Sequence, residues 1–199
     1  MTEKVFDGGL LPGKVALGID QSLSGFAMAA VNLDQPEAYE VWVYKSEHRG
    51  VRRLADIRWW MEDKFDFLES NGHRVEAIAM ETPVMASPST LPLAQLAGVI
   101  RVAIWDYFDA NKYSVIPFEE HIRKPYLIPP MTLKKYATGK GNSKKQEMLL
   151  QIYKRWNVEF NDDNAADSYA LARLAAGISI DTIEKLVVEQ IKDPKYRDN

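Results

Sequence analysis

Apolar and polar positions fall into distinct rhythms along this chain. The apolar run at 15–19 closed by Asp20, the small and apolar stretch at 26–32 and an alternating, β-rich stretch at 38–44 predict three consecutive strands. They are separated by the turn signals Gln21-Ser22-Leu23-Ser24-Gly25 and Asp34-Gln35-Pro36, short enough to make the strands antiparallel. From 51 to 68 the rhythm lengthens, with Leu54, Ile57, Trp60, Met61, Phe65 and Leu68 at helical spacing until Asn71-Gly72 stops them. A strand at 74–80, a long helix at 91–110 and a short strand at 113–117 follow. Pro129-Pro130 then opens a short helix at 132–137 that stops at Gly139, and further helices are predicted at 143–156, 164–176 and 181–192.

This order predicts an α/β fold with a mixed five-stranded sheet, three antiparallel strands then two parallel ones, and helices packed on both faces. Residues 1–13 are Gly-rich and weakly patterned and read as an irregular lead-in; 178–199 reads as a C-terminal helical extension. Neither a repeat nor a long linker divides the chain, so residues 1–199 are expected to form a single domain.

Composition narrows the chemistry. A hydrophobic share of 46% beside 27% charged residues suits a soluble globular protein. No apolar run approaches the ~18 residues of a membrane span. Met1-Thr2-Glu3-Lys4 lacks the basic flank and apolar stretch of a secretory signal. The chain has no cysteine and only three histidines, so disulfides and thiolate sites are excluded and a bound metal would be held mainly by oxygen.

Three apolar elements carry acids at their mouths. Asp20 ends the first run, Glu81 ends Ala77-Ile78-Ala79-Met80, and Asp163 and Asp167, one helical turn apart, open the segment through Tyr169, Leu171 and Leu174. A lone buried charge there costs several kcal/mol unless something compensates it, and a pair of divalent cations would serve all three places. Blander roles exist for each: Asp20 as a turn aspartate, Glu81 as a solvated strand end, the cluster Asn161-Asp162-Asp163-Asn164 as a helix cap. Capping does not account for Asp167, a turn inside the helix and flanked by alanine. A nucleotide-phosphate role for Asp20 lacks the second, glycine-rich loop it requires.

Net charge is −3, but the basic residues are not evenly spread. From Arg123 to Arg155 lie nine basic residues (Arg123, Lys124, Lys134, Lys135, Lys140, Lys144, Lys145, Lys154 and Arg155) against the single acid Glu147, so the segment is +8 and the remainder −11. That asymmetry points to a polyanion at one face; a solvated lysine-rich surface is the alternative.

With these features in place, the chain resembles the RuvC-type Holliday-junction resolvases of the ribonuclease H-like nuclease group. The resemblance rests on Leu17-Gly18-Ile19-Asp20 followed by Ser24-Gly25-Phe26-Ala27, on Ile78-Ala79-Met80-Glu81, on Thr138-Gly139-Lys140-Gly141 with Lys145, and on the stretch from Asn164-Ala165-Ala166-Asp167 to Ala172. It runs from about residue 14 to 176. It implies a ribonuclease H-like sheet and an all-acidic site for two Mg²⁺ or Mn²⁺ ions, with Asp20, Glu81 and Asp167 on the family's acidic positions. Also implied are paired symmetric nicks that leave 5′-phosphates on a four-way or other branched DNA, a homodimer, and no nucleotide cofactor.

Two departures from the family pattern stand out. The position three before the last Asp is Asn164 where the family has Asp or His, so Asp163 is expected to supply the missing carboxylate, with Asn164 as an auxiliary ligand. After Glu81, where some members carry an aromatic wedge, this chain has Pro83-Val84-Met85. Lys134 and Lys145 match positions implicated in DNA contact, and Lys145 in stabilising the scissile phosphate. Arg123, Lys124, Lys135, Lys140 and Lys144 complete the expected DNA-binding set. Trp59, Trp60, Phe65 and Phe67 are read as core or dimer packing and the methionines as core filler, His48 and His73 as surface residues, and His121 as a phosphate contact at most.

The rival readings are a nuclease of the same fold acting on flaps or forks, and a non-catalytic DNA-structure-binding protein. The expected setting is the cytoplasm of a bacterium, or of the host for a phage protein.

Overall fold

The structure is a computed structural model that describes residues 2–83, 90–110 and 120–197. Its centre is a six-stranded mixed sheet in the order β1-β4-β3-β2-β5-β6. The strands are β1 (Thr2–Gly8), β2 (Gly13–Asp20), β3 (Phe26–Asn32), β4 (Tyr39–Lys45), β5 (His73–Glu81) and β6 (Tyr126–Ile128). The first four pair antiparallel, whereas β5 lies parallel to β2 and β6 parallel to β5.

Helices cover both faces, as the sequence predicts. On one side, α1 (Gly50–Ser70) and α2 (Thr90–Ala110) bury Ile57, Met61, Phe65, Ile100 and Ile104 against Val15, Leu17, Ile19 and Met28. On the other lie α3 (Pro130–Thr138), α4 (Lys145–Trp156), α5 (Asp163–Ala175) and α6 (Thr182–Gln190), packed through Tyr136, Ile152, Ala170 and Val187 onto Ala27, Ala29 and Ala79. The unbroken apolar runs of β2 and β3 follow from this, because a strand buried on both faces has no polar side.

One strand expectation needs correction. Residues 1–13 are not irregular throughout: β1 pairs with β4 from Thr2↔Lys45 to Gly8↔Tyr39, which makes the strand count six rather than five. Its period is hard to read because it is a largely exposed edge strand, and Phe6, edge-on to Phe160 at 5.3 Å, is its main packing contact. The strand expected at 113–117 falls outside the described residues. The strand found beside β5 is β6, too short to display a period.

The β6 edge is fastened by the last turn of the chain. Arg197 bridges Tyr126 through the backbone, sets its guanidinium 3.4 Å from the Tyr126 ring centroid, and donates to the Lys124 carbonyl oxygen at 3.0 Å.

One glycine sets how α5 sits on the sheet. A Cβ built on Gly18 would stand 2.0 Å from the Ser168 carbonyl oxygen and 2.3 Å from the Ala172 amide nitrogen. The α5 backbone therefore rests directly on β2, with alanines at 16, 27, 165, 166 and 172 completing the seam. Only glycine permits so close an approach.

Candidate active site

The parallel register of β2 and β5 pairs Ile19 with Met80, so the residue after each, Asp20 and Glu81, leaves the sheet at the same edge. Both lie on the face covered by α5, because side chains alternate along a strand and Ala79 faces that core. The direct seat of α5 on Gly18 brings the helix's first turns over that edge. Asp20, Glu81, Asp163, Asn164 and Asp167 line one cleft of about 650 Å³.

The helix start separates capping from chemistry. Asp162 is the N-cap, its Oδ1 accepting from the Asn164 amide at 3.0 Å and the Ala165 amide at 3.3 Å. Asp163 and Asp167 are left for the cleft. The Lys145 Nζ donates to Asp163 Oδ2 at 2.9 Å. The Asn164 side chain lies over Gly25, its Nδ2 2.6 Å from where a Cβ on that glycine would be.

The three acids are crowded, Asp20 buried and Glu81 and Asp167 half-buried. Burial, and then the charges of Asp167 and Glu81, hold the Asp20 carboxyl well above its ordinary range. Burial and the Asp167 charge push Glu81 up to about 7, against the pull of Lys134 and a hydrogen bond with Asp20. Asp167 rises to about 6, chiefly through burial, with Lys145 opposing and Asp163 adding to the shift. Like-charged carboxyls in one dry place resist ionisation unless a cation joins them.

That donor set fits a hard divalent cation, which prefers carboxylate and carbonyl oxygens. Gln21 adds to it: its Nε2 donates to the Glu81 carbonyl oxygen, while its Oε1 is buried, beside the acids, with no partner. Among the described residues, no group of three or more His, Cys, Asp or Glu side chains is already arranged to hold a metal ion.

Of the basic residues singled out in the sequence, Lys134 and Lys145 line the cleft. Lys135, Lys140 and Lys144 are exposed and do not line it. Arg123 bonds to Asp109 and lies 4.8 Å from the Trp105 ring centroid, and the Lys124 carbonyl receives Arg197. Ser143 does not begin α4; its hydroxyl is bonded to Thr138 (2.7 Å) and the helix starts at Lys145. His48 is not a free surface residue, since its Nδ1 bonds to the buried Asp56 at 2.6 Å. Met131, read as core filler, is 68% exposed. Val84 and Met85 and the side chain of His121 lie outside the described residues.

Sequence reasoning missed Gln21, Lys45, Ser46 and Arg53, all of which line the cleft. A signal was available: two antiparallel turns return β4 to the edge at which β2 ends, and a basic run starts there.

Two solved structures of Thermus thermophilus RuvC match this architecture. One superposes with a TM-score of 0.59 at 16% identity, covering 92% of this chain and 98% of that one. The other, RuvC in complex with a Holliday junction substrate, gives 0.57 at 18% identity, covering 79% of this chain and 90% of that one.

The fold is the RuvC fold.

In sequence, 110 residues are 34% identical to the crossover junction endodeoxyribonuclease RuvC of Chlamydia muridarum. That match takes in 52% of this chain and 56% of the relative, so it spans little more than half of that RuvC's length. No family model matches the chain. The RuvC likeness thus rests on a fold shared over most of the chain and on sequence shared over about half of it.

Proposed function

We propose that this chain is a metal-dependent, structure-selective DNA endonuclease of the RuvC type that resolves four-way junctions by paired symmetric nicks. The observation that carries the reading is the meeting of Asp20, Glu81 and Asp167 at one sheet edge, each carboxyl held above its usual range, with Lys134 and Lys145 beside them. Sequence similarity to one RuvC and the RuvC fold support it.

Asp20, Glu81, Asp167 and Asp163 would hold two Mg²⁺ or Mn²⁺ ions, with Asn164 as an auxiliary oxygen donor. When bound, such a pair activates water and stabilises the leaving 3′-oxygen, which gives 5′-phosphate ends. The chain's own part is to hold the acids in a water-poor cleft and to keep Lys145, pinned by Asp163, close to the scissile phosphate. Lys134 offsets the acids' repulsion of the DNA backbone. Lys135, Lys140, Lys144, Arg123 and Lys124 are proposed to extend the backbone contacts outside the cleft.

Symmetric nicks need two sites, hence a homodimer. The α1–α2 face suits a second copy: Val51, Leu54, Val99 and Val102 form an apolar groove there, with Val51 82% exposed. No helix among the described residues is long and apolar enough to cross a membrane. A DNA substrate fits the bacterial cytoplasm, or the host's for a phage protein.

The test is incubation with a synthetic immobile four-way junction and, in parallel, three-way and flap substrates, in Mg²⁺ and in Mn²⁺, with both nick positions mapped. Paired nicks at symmetry-related positions are expected. Equal cutting of all branched substrates would favour a flap or fork nuclease, and binding without cutting would favour a non-catalytic junction-binding protein.

A further inference from the structure

A second cationic wall faces the acids from the β4 side of the sheet. Strands β2 and β4 run in the same direction, because each is antiparallel to β3 between them, so Lys45 leaves β4 at the edge where Asp20 leaves β2. Lys45 and Arg53 line the same cleft as the acids. Lys134 and Lys145 reach the acids from α3 and α4, the helices that follow β6, whereas Lys45 and Arg53 reach them from the end of β4 and the start of α1.

Arg53 is held in place by a small, part-buried network. Asp56, on α1 and buried, accepts from Ser46 Oγ and from His48 Nδ1, both at 2.6 Å. Ser46 Oγ also receives the His48 amide at 3.1 Å, and Arg53 Nε donates to the His48 carbonyl oxygen at 2.9 Å. A buried carboxylate is costly unless fully hydrogen-bonded, and here it fixes the turn that carries Lys45 on one side and Arg53 on the other. Among the described residues neither Lys45 nor Arg53 forms an ion pair with an acid. From Lys45 to Arg53 the chain carries Lys45, Arg49, Arg52 and Arg53 against Glu47 alone.

We infer that Lys45 and Arg53 form a second phosphate-binding arm, positioned by Asp56, which grips the DNA backbone across the acidic cluster from Lys134 and Lys145. The inference rests on the nuclease reading above. A polyanion led over three like-charged carboxylates is repelled at that point, and cations on one flank alone would let the strand swing away from it. Cations on both flanks hold the phosphates on either side of the scissile one. Asp56 touches no substrate and is a positioning residue.

Binding of the full chain to a labelled four-way junction, followed by fluorescence anisotropy in EDTA between about 50 and 200 mM KCl, separates the contributions. The Lys45→Gln/Arg53→Gln variant should bind about tenfold more weakly and lower the slope of log Kd against log salt by about 1–2. Lys192→Gln/Lys195→Gln, the same charge loss on exposed residues elsewhere, should change neither. Arg53→Lys alone, with Lys45 retained, should keep most of the wild-type affinity. Asp56→Asn makes the chain more positive, so charge alone predicts tighter binding, whereas loss of positioning predicts weaker binding.

Unchanged slope and affinity in the Lys45→Gln/Arg53→Gln variant, beside a clear loss in Lys134→Gln/Lys145→Gln, would overturn this arm and leave the nuclease reading standing. A wild-type chain that neither binds nor cuts the junction would overturn both.

Discussion

Lys145 Nζ stands 2.9 Å from Asp163 Oδ2, which ties the first residue of α4 to the first residue of α5 at the rim of the acidic cleft. The same lysine lowers the pKa values of Asp20, Glu81 and Asp167. With Lys134, which acts on Glu81 and Asp167, it makes two cations against the four carboxyls of Asp20, Glu81, Asp163 and Asp167, too few to neutralise them.

Asp163 and Asn164 can be told apart by activity. Asp163→Asn removes both a carboxylate and the partner of Lys145, whereas Asn164→Ala removes a neutral side chain lying over Gly25. Asp163→Asn is expected to slow cleavage by about 100-fold, and Asn164→Ala by no more than about tenfold. Single-turnover cleavage of a junction measures both, and the reverse order would assign the ligand to Asn164.

Asp20→Asn should abolish cleavage while leaving junction binding in EDTA intact, since the acids and the cationic walls are separate groups. It should also raise the Tm of the metal-free protein near neutral pH, because it removes a buried carboxyl that Asp167 and Glu81, both half-buried, repel. A variant that cuts normally, or that melts lower than wild type without metal, would contradict the assigned role.

The raised carboxyls give stability a definite pH trend. Glu81 titrates at about 7 and Asp167 at about 6 in the folded chain, whereas unfolded carboxyls titrate near 4. Between those values the folded state binds more protons, so these groups make stability fall as pH rises from about 4 to about 7. Thermal melts in EDTA should show that loss. Glu81→Gln should flatten it, and Mg²⁺ should restore Tm more at pH 8 than at pH 5.5, because protons compete with metal for the same oxygens.

How much of this was legible beforehand depends on which interactions each element uses. The acids at 20, 81 and 167 stood out because each interrupts an apolar pattern, and strands buried on both faces announce themselves. By contrast β1 is held mainly by backbone pairing to β4, which leaves little trace in side-chain order. Ser143 is expected to open the helix that ends at Trp156, yet its hydroxyl bonds to Thr138 and the helix begins at Lys145. The cations at 45 and 53 form a short charged stretch with no periodicity, and only the return of β4 to the acidic edge gives them meaning.

A dimer through the α1–α2 face has its own test. Val102, 50% exposed on α2, lies in the apolar groove. Val102→Glu should yield a monomer by light scattering without lowering Tm by more than a few degrees, since the residue is outside the core. Paired nicking should then decay into single, uncoupled nicks.

Gly18→Ala tests the mount of the site. The added methyl would meet the α5 backbone at 2.0 Å, with no side chain there able to swing aside. A loss of about 3 kcal/mol or more is expected in urea unfolding, with cleavage falling further than the unfolded fraction explains.

The same contact limits what the protein can become. Where a helix is spaced from a sheet by side chains, substitutions at the interface can widen or narrow the gap and shift whatever the helix carries. Here backbone meets backbone, so the distance from Asp20 to Asp167 has no adjustable spacer. The spacing is inherited with the fold, and a redesign aimed at a larger ion or a different reaction would have to move an entire helix to change it.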